Sequence, residues 1–490
     1  MAETKHPDLQ KAHQRRKKRE SLLETLESIV VAFVLAFVFR AFIVEAFVIP
    51  TGSMAPTLYG AHAEFVCADC GYRFTVGAEG FPTGDRRSPP VCPNCFLPQA
   101  VPPRGVPAYS GDRVLVLKFL YDFEEPQRWD VIVFRNPNEP SQNYIKRLVA
   151  LPGETVELVG GNVTIDGRVV RKTDHAQNAL WMIVHDTRWR PVRSDWTPRW
   201  VPDRGAKADG IGFRLDAAAD KETWLAYRHR DPAGRPSNIL DFYAYNAAGN
   251  GVQFGANACT DLSLSGEATL GGAGAVLVVE LSAYEDRFRF ELSAKGSRRP
   301  TRVYCNGKVL GEAPDGALEV GRAGSFRIAN VDHKLMLLVG GRRVLASFAG
   351  NTTAEGDPLY DPTPLWEDER RQRAGQAAGV RVGVRGGPVT LTYLRLDRDV
   401  YYTNEWIRGT GEPGNATEGH PLGLLPDEFF VLGDNSPNSS DCRLWTIARP
   451  VVPHRNLVGK AFFVYWPSAG RRTPLAVPLM PDPTGWRFVH

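Results

Sequence analysis

The strongest hydrophobic pattern in the chain is a single apolar run close to its start. Residues 29–39 carry no polar side chain, and further apolar residues extend this run upstream to Leu22 and downstream to Ile49. A helix needs about 20 predominantly apolar residues to span a bilayer. Lysines and arginines crowd residues 1–20, and such residues keep the adjacent end of a span in the cytoplasm. The pattern therefore predicts a basic cytoplasmic tail over 1–20 and a single transmembrane anchor over 21–49.

Two other structures are compatible with an apolar run behind a basic tail. A cleaved signal peptide has the same order of features, but its apolar region is shorter and it ends in small residues, unlike Val48-Ile49-Pro50. A buried helix of a soluble core is the other alternative, and the basic cluster at the start of the run disfavours it. We favour an uncleaved anchor, which places the rest of the chain outside the cytoplasm.

Beyond residue 105 the pattern changes to short runs of β-branched and aromatic residues. The runs 114–117, 131–134 and 143–149 predict strands. Within 163–170, an Asp166-Gly167 pair between two such runs predicts a hairpin, because this pair suits a tight turn with positive φ. The chain is therefore expected to be mainly β after the anchor.

Residues 173–420, which we call the insert, continue this pattern with short apolar runs between Gly, Asp and Asn turns. Many short strands with regular turns predict a β-sandwich. The runs 326–333 and 394–403 weakly resemble concanavalin/laminin-G-like sandwiches, a resemblance that implies a possible glycan or protein ligand. Five tryptophans could line a sugar site, although large aromatic residues are more often part of a core. They are Trp181, Trp189, Trp196, Trp200 and Trp224.

Length and composition are those of a folded protein with more than one domain. The chain has 490 residues, of which 43% are hydrophobic and 23% are charged. Its length predicts two to four domains. The formal net charge is only +4, so no nucleic-acid partner is expected for the whole molecule.

Four of the seven cysteines form two C-x-x-C pairs within residues 59–104, which we call the knuckle segment. Cys67 and Cys70 make one pair, and Cys92 and Cys95 make the other. Four thiolates at this spacing suit tetrahedral Zn²⁺ in a closed structural site. Two disulfides are the alternative, which an oxidising compartment outside the membrane permits. We favour a zinc-ribbon-like insert with a structural role.

Two residues attract attention as a possible nucleophile and base. Ser53 lies in a Pro/Gly-rich turn directly after the apolar run, where a serine is usually only a turn former. Lys146 lies in a predicted strand whose alternation places Tyr144 and Leu148 on the same face, and apolar cover lowers the pKa of a lysine. A lysine at a strand edge that blocks aggregation is the alternative.

Three stretches of the chain combine in a recognisable order. They read Pro50-Thr51-Gly52-Ser53-Met54-Ala55-Pro56-Thr57-Leu58, Tyr144-Ile145-Lys146-Arg147-Leu148-Val149-Ala150-Leu151-Pro152-Gly153-Glu154 and Gly433-Asp434-Asn435-Ser436-Pro437-Asn438-Ser439-Ser440-Asp441-Cys442-Arg443. Taken together, they resemble the type I signal peptidases, the membrane-bound Ser/Lys proteases that remove secretory signal peptides. A shorter element, Gly111-Asp112-Arg113-Val114, is similar to another part of that family's pattern, and the whole resemblance covers roughly 20–58, 105–172 and 421–467.

The resemblance implies a catalytic β core over 50–58, 105–172 and 421–490, and a role for each matching residue. Ser53 would be the nucleophile and Lys146 the general base, with no cofactor in the chemistry. The oxyanion would be held by the Ser53 amide and the Thr51 hydroxyl. Ser439 would hydrogen-bond Lys146. The remaining orienting residues would form one charged cluster, comprising Asp434, Asp441, Arg147 and Arg443.

The family resemblance also implies partners and a location. The partners would be signal-peptide-bearing preproteins and membrane lipid. The chain would be a single-pass protein of a bacterial-type cytoplasmic membrane, with its catalytic domain on the extracytoplasmic face. Two rivals remain open: a non-catalytic, membrane-tethered binding protein on a peptidase scaffold, and a Ser/Lys protease dedicated to one partner.

Overall fold

The short runs of β-branched residues form strands in a computed structural model of the chain, which is mainly β as predicted. The structure describes residues 23–35, 37–38, 43–78, 89–100, 106, 108–246, 255–363, 377–404, 412–466 and 486–489. The predicted basic tail over 1–20 lies outside these residues. Strands are numbered below in chain order.

One eight-stranded antiparallel sheet contains the strands that surround Lys146. Its order is β1-β4-β29-β5-β6-β27-β28, and β30 pairs with β29. The predicted runs 114–117, 131–134 and 143–149 lie in β4, β5 and β6. The strands are β1 (Val44–Val48), β4 (Arg113–Leu117), β5 (Val131–Arg135), β6 (Asn143–Ala150), β27 (Glu428–Leu432), β28 (Val452–Pro453), β29 (Leu457–Trp466) and β30 (Arg487–Phe488).

The pairing of β6 with β27 joins parts of the chain that lie far apart in sequence. Leu432 pairs with Arg147 and Val431 with Leu148. Because β27 ends at Leu432, the turn that begins at Gly433 lies beside Lys146. On its other side, β6 pairs with β5, where Ile132 lies opposite Lys146. Lys146 is therefore on an interior strand, which removes the alternative of an aggregation-blocking edge lysine.

The structure also contains two smaller sheets, one of two strands and one of four. The predicted Asp166-Gly167 turn lies in the four-stranded sheet and is confirmed: both residues have positive φ, 50° and 77°. The first small sheet consists of β2 (His62–Val66) and β3 (Arg73–Gly77), within the knuckle segment. The second has the order β26-β7-β8-β9 and consists of β7 (Thr155–Val159), β8 (Asn162–Ile165), β9 (Arg168–Val169) and β26 (Leu422–Gly423).

Two further eight-stranded sheets lie within the insert. The first has the order β12-β13-β25-β15-β20-β21-β22, with β10 paired to β25, and the second has the order β11-β14-β24-β16-β17-β18-β19-β23. The first comprises β10 (Met182–Asp186), β12 (Ala206–Asp209), β13 (Gly212–Leu215), β15 (Leu262–Leu270), β20 (Gly324–Val331), β21 (Lys334–Val339), β22 (Arg342–Arg343) and β25 (Val389–Arg398). The second comprises β11 (Trp200–Pro202), β14 (Glu222–Tyr227), β16 (Val276–Ala283), β17 (Asp286–Ser293), β18 (Thr301–Cys305), β19 (Lys308–Ala313), β23 (Ser347–Phe348) and β24 (Ala378–Arg385).

The two sheets of the insert share one hydrophobic core. Leu264 of β15 and Leu277 of β16, one from each sheet, belong to the same buried cluster. Of the five tryptophans proposed for a sugar site, Trp200 is buried in this core. Trp189 is 36% exposed, and the Trp224 ring lies 4.0 Å from the Arg381 guanidinium. The tryptophans therefore occupy different environments.

The predicted anchor over 21–49 is only partly described, and its last residues are not helical. Residues 23–35 and 37–38 form helix α1, and a short helix α2 (Asp174–Leu180) leads into β10. The stretch Val44–Val48 is strand β1, which pairs with β4 from Val44↔Leu117 to Val48↔Arg113. Any spanning helix must therefore end before Val44. Within the ranges that the structure describes, no helix combines the length and the apolar character needed to cross a bilayer.

Candidate active site

Ser53 lies in a short 3₁₀ helix, Gly52–Met54, that directly follows β1 and the Ile49-Pro50-Thr51 connection. Met54 and Leu58, on its C-terminal side, are fully buried in the core beneath the main sheet. These apolar side chains fix the turn to the sheet, so Ser53 is only 8% exposed. Because Met54 and Leu58 follow Ser53 closely in sequence, the polar side chain of Ser53 is held directly next to buried apolar side chains.

Lys146 reaches Ser53 from strand β6. Its Nζ donates to Ser53 Oγ at 2.9 Å and to the Ile145 carbonyl at 3.1 Å. The Lys146 side chain is 4% exposed, and its Nζ lies 5.2 Å from the centre of the Tyr144 ring. The structure therefore brings together the two residues that the sequence predicts as nucleophile and base.

Burial lowers the pKa of the Lys146 amine from an ordinary value of 10.5 to about 8. The cause is the loss of water around the ammonium form. The carboxylates of Asp441 and Asp434 act in the opposite direction and raise this pKa, while Arg443 lowers it. The net shift leaves a minor fraction of the amine free at neutral pH and most of it free above pH 8, and a free amine can accept the hydroxyl proton across 2.9 Å.

A cleft of about 540 Å³ opens onto this pair. Thr51, the predicted oxyanion donor, is an exposed residue of its lining. Thr51 precedes the 3₁₀ helix with an extended backbone, and its side chain makes no capping hydrogen bond there. Ser439 and Leu444 line the cleft as well. The predicted nucleophile, base and oxyanion residues thus face one common space.

The four charged residues that were expected to form one cluster form two separate buried ion pairs. Arg147 Nε and Nη2 donate to the two carboxylate oxygens of Asp434, each at 2.7 Å. Arg443 Nε and Nη2 donate in the same way to Asp441, each at 2.8 Å. All four side chains are fully buried. Each charge is therefore neutralised by its own partner, with two parallel hydrogen bonds that add rigidity.

The hydrogen bond that the sequence analysis predicted between Ser439 and Lys146 is not formed, and this prediction is corrected. Among the described residues, Lys146 Nζ bonds to Ser53 and Ile145 and not to Ser439. Ser439 instead packs on Gly433, where an added Cβ would lie 2.1 Å from Ser439 Oγ and 2.5 Å from the Ser53 carbonyl oxygen. Gly433 thus lets the Ser439 turn and the Ser53 turn approach each other.

Three polar residues near the site were given no role by the sequence. Asn435 N donates to the Ser53 carbonyl at 3.0 Å, and its side chain donates to the Gly52 carbonyl at 2.9 Å. Arg443 Nη1 donates to Ser436 Oγ at 2.7 Å and to the Thr403 carbonyl at 3.0 Å. Asn435 and Ser436 lie inside the recognised stretch 433–443, so their positions in the sequence indicated that they lie near the site. Thr403 lies in the insert, outside the three stretches that resemble signal peptidases, so the sequence did not connect it with the site.

The four paired cysteines also come together. All four are buried, and their sulfur atoms lie within 4.8 Å of one another. Cys67 Sγ is 3.5 Å from Cys95 Sγ, and Cys70 Sγ is 3.7 Å from Cys92 Sγ. A tetrahedral Zn²⁺ with Zn–S bonds of about 2.3 Å places its sulfur ligands ~3.8 Å apart, so the donor set fits this metal.

A serine hydroxyl in contact with the amine of a buried lysine can carry out acyl transfer, which defines the class of site. The family described as signal peptidase, peptidase S26, matches residues 107–197 and 378–466. Lys146 and the stretch 433–443 lie within the matched residues, and Ser53 precedes them.

Curated relatives extend this match. A signal peptidase I of Leptolyngbya laminosa is 31% identical over 254 residues, which are 50% of this chain and 90% of that protein. The chain therefore belongs to the signal peptidase I family of peptidases. A signal peptidase I of Pseudomonas aeruginosa is 34% identical over 139 residues, 28% of this chain and only 36% of that protein.

Solved structures give a more distant likeness. Carbohydrate binding module CBM66 from Bacillus subtilis is 10% identical, with a TM-score of 0.25, over 41% of this chain and 96% of that one. A TM-score of this size is too low to support a common fold, so this likeness says nothing about a ligand of the insert.

The Arg147–Asp434 pair leads to a prediction about stability. Asp434→Asn leaves the Arg147 guanidinium buried without a counter-charge, and we expect the free energy of unfolding to fall by about 3–5 kcal/mol. The measurement is denaturant unfolding of the variant and the wild type. As a control, Asp209→Asn breaks an Arg214 pair whose side chains are 55% and 67% exposed, and should cost no more than about 1 kcal/mol. Equal losses in the two variants would contradict the structural role.

Proposed function

We propose that this protein is a membrane-bound signal peptidase that uses Ser53 as nucleophile and Lys146 as general base. The observation that carries the proposal is the 2.9 Å contact between Lys146 Nζ and Ser53 Oγ, with both side chains buried. The lowered pKa of Lys146 supports the role of base, because the amine must be free of its proton to act.

In the first half of the reaction, Lys146 Nζ takes the proton of Ser53 Oγ as that oxygen attacks the scissile carbonyl carbon. The carbonyl oxygen becomes an oxyanion, held by the Ser53 amide and the Thr51 hydroxyl. The Lys146 ammonium then gives its proton to the departing amine, and the peptide bond breaks. The Ser53 ester that remains is the acyl-enzyme.

In the second half, the free Lys146 amine takes a proton from a water molecule, whose oxygen attacks the ester carbonyl. Collapse of the second tetrahedral intermediate breaks the bond to Ser53 Oγ, which recovers its proton from the Lys146 ammonium. The released product is the carboxylate of the cleaved segment. The two buried ion pairs hold Arg147 and Arg443 away from this proton path, and neither takes part in it.

The substrates in this proposal are exported preproteins that carry signal peptides, cut after a small residue. The names of the relatives support this class, since they are signal peptidases of type I. The apolar run within 21–49 would anchor the chain in a bacterial-type cytoplasmic membrane, with the tail 1–20 in the cytoplasm. The Ser53 cleft would then face the extracytoplasmic side, near membrane lipid. A glycan or protein ligand of the insert remains a prediction.

Ser53→Ala and Lys146→Ala should each abolish processing of a preprotein in detergent. One removes the nucleophile and the other removes the base, and losses of about 10³-fold or more in kcat are expected for members of such a unit. The assay follows the shortening of the preprotein on a gel over time. Lys118→Ala serves as the control, because Lys118 makes a partly exposed ion pair with Glu45 instead. Full cleavage by either active-site variant would refute the proposed roles of Ser53 and Lys146.

The pKa of Lys146 sets the expected pH dependence. Below pH 8 the amine is mostly protonated and cannot accept the Ser53 proton, so kcat/KM should fall about tenfold per pH unit. Above pH 8 the free amine predominates, and the rate should reach a plateau. Initial rates between pH 6 and 10 test this. A flat profile, or a midpoint near the ordinary lysine value of 10.5, would contradict the role of Lys146 as a buried base.

We further propose that the knuckle segment binds one structural zinc ion through its four cysteines. The sulfur separations of 3.5 and 3.7 Å and the burial of all four side chains support this site. Four thiolates fill the tetrahedral coordination of the metal, so no position remains for a substrate. The proposed role is therefore to hold the two C-x-x-C turns together.

Elemental analysis of purified protein should find about one zinc per chain. Cys67→Ser should lower this content strongly, since three thiolates bind the metal more weakly. Cys305→Ser provides the control, because Cys305 is also buried but lies in the insert, outside the four-cysteine cluster. Two disulfides without bound metal would refute the zinc site and favour the alternative given by the sequence.

A further inference from the structure

The insert touches the turn that carries Ser53. Residues Ala244–Asn246 form a 3₁₀ helix that belongs to the insert and lies against strand β3 of the knuckle segment. Ala244 shares a buried apolar cluster with Val76 of that strand. Tyr245 is 3% exposed. This helix therefore stands between the knuckle segment and the turn at Gly52.

The Tyr245 ring occupies the space next to the Gly52 Cα. A side chain at position 52 would therefore collide with the ring. An added Cβ at Gly52 would lie 2.0 Å from Tyr245 Cε1 and 2.6 Å from Cζ. The same ring packs on Gly77, where an added Cβ would lie 2.8 Å from Cε1. The ring is thus held between the backbones of Gly52 and Gly77, and its hydroxyl donates to the Ala61 carbonyl at 3.3 Å. Gly52 is required here because the ring approaches its Cα.

Asn246 acts on the same turn through Asn435. The two side-chain amides form a reciprocal pair, in which each Nδ2 donates to the other's Oδ1, at 2.7 and 2.8 Å. The Asn435 Nδ2 also donates to the Gly52 carbonyl at 2.9 Å. Asn435 is fully buried, so the orientation of its amide is set by these contacts. Asn246 therefore determines which group Asn435 turns toward Gly52.

The Gly52 carbonyl and the Ser53 amide belong to one peptide unit. Because that unit is planar and trans, fixing the direction of its C=O also fixes the direction of its N–H. The Ser53 N–H is the donor assigned to the oxyanion. Oxyanion donors stabilise the transition state only if they are already aimed at the position that the oxyanion will occupy.

We propose that Tyr245 and Asn246 are positioning residues for Ser53: they hold the Gly52–Ser53 peptide so that its N–H faces the oxyanion. Tyr245 blocks movement of Gly52 by direct packing, and Asn246 holds the carbonyl through Asn435. The inference rests on the proposed peptidase function and extends it, since it makes the insert a part of the catalytic site. Neither residue lines the cleft at Ser53 and Lys146, so both act through the turn and neither is a catalytic residue.

Tyr245→Ala and Asn246→Ala test this in the full-length protein. Removing the ring or the amide pair leaves the Gly52 carbonyl bonded to Ala55 N at 3.1 Å. The Ser53 peptide is then held less firmly, and kcat for preprotein cleavage should fall about tenfold to a hundredfold. The KM should change by less than about twofold, because the cleft surface is unaltered. The pH midpoint near 8 should not move, since Lys146 keeps its surroundings.

Two comparisons separate positioning from stability. Tyr245→Phe keeps the ring against Gly52 and loses the hydroxyl that bonds to Ala61 at 3.3 Å, so it should restore most of kcat. Tyr360→Ala removes another buried tyrosine, which packs on Phe288 with ring centres 4.6 Å apart in the insert core. It should lower Tm as much as Tyr245→Ala does, yet leave kcat close to that of the wild type.

The outcomes distinguish this inference from the function on which it rests. If the wild type cleaves and Ser53→Ala does not, but Tyr245→Ala and Asn246→Ala keep kcat within about twofold of the wild type, the positioning role is wrong and the peptidase stands. A fall in kcat that Tyr360→Ala reproduces at an equal loss of Tm would also overturn it. If the wild type itself cleaves no preprotein, the proposed function fails first.

Discussion

The proposed chemistry depends on one constraint: the amine of Lys146 has to be free of its proton while it stays within hydrogen-bond reach of Ser53. Water would keep the amine charged, so the side chain is buried, and burial is the largest influence on its pKa. Two carboxylates close behind it, Asp434 and Asp441, would restore the charge if they acted alone. Each is instead paired with its own arginine through two hydrogen bonds, which limits the field that reaches Lys146.

Sheet pairing makes this arrangement possible across a long interruption in the chain. Strands β6 and β27 are neighbours, although the insert separates them in sequence. The entropic cost of closing a loop rises only slowly with the length of the loop. A segment that folds around its own core, as the insert does, adds still less to this cost. Arg147 links the two strands through Asp434 and also donates to Thr57 Oγ1 at 3.2 Å, just beyond the Ser53 turn. The ion pair therefore joins all three recognised stretches.

Much of this could be predicted from the sequence. Runs of β-branched and aromatic residues predicted β4, β5 and β6, the Asp166-Gly167 pair predicted its turn, and the three stretches pointed to Ser53 and Lys146. The strand Val44–Val48 was not foreseen, because a short, mostly apolar run at the end of a longer one fits a spanning helix and a strand equally well. Partners inside the site were also misjudged: Ser439 was assigned to Lys146, although a pattern of residue types does not say which of several nearby groups a hydroxyl reaches.

The contacts of Tyr245 and Asn246 show why the insert could not be understood from its own sequence. Neither residue stands in a recognisable motif, and each acquires meaning only from the backbone it meets, Gly52 for the ring and Asn435 for the amide.

The knuckle segment completes this junction. Asn94 accepts from Asp186 N and donates to the Trp189 carbonyl, both at 2.7 Å, which fastens the cysteine turns to the insert beside β10. On its other side the same segment supplies β3, whose Gly77 backs the Tyr245 ring. The four cysteines share one buried apolar cluster with Val76 and with Ala244 of the insert, the residues next to Gly77 and Tyr245. The knuckle segment and the insert therefore pack together directly beside the Ser53 turn.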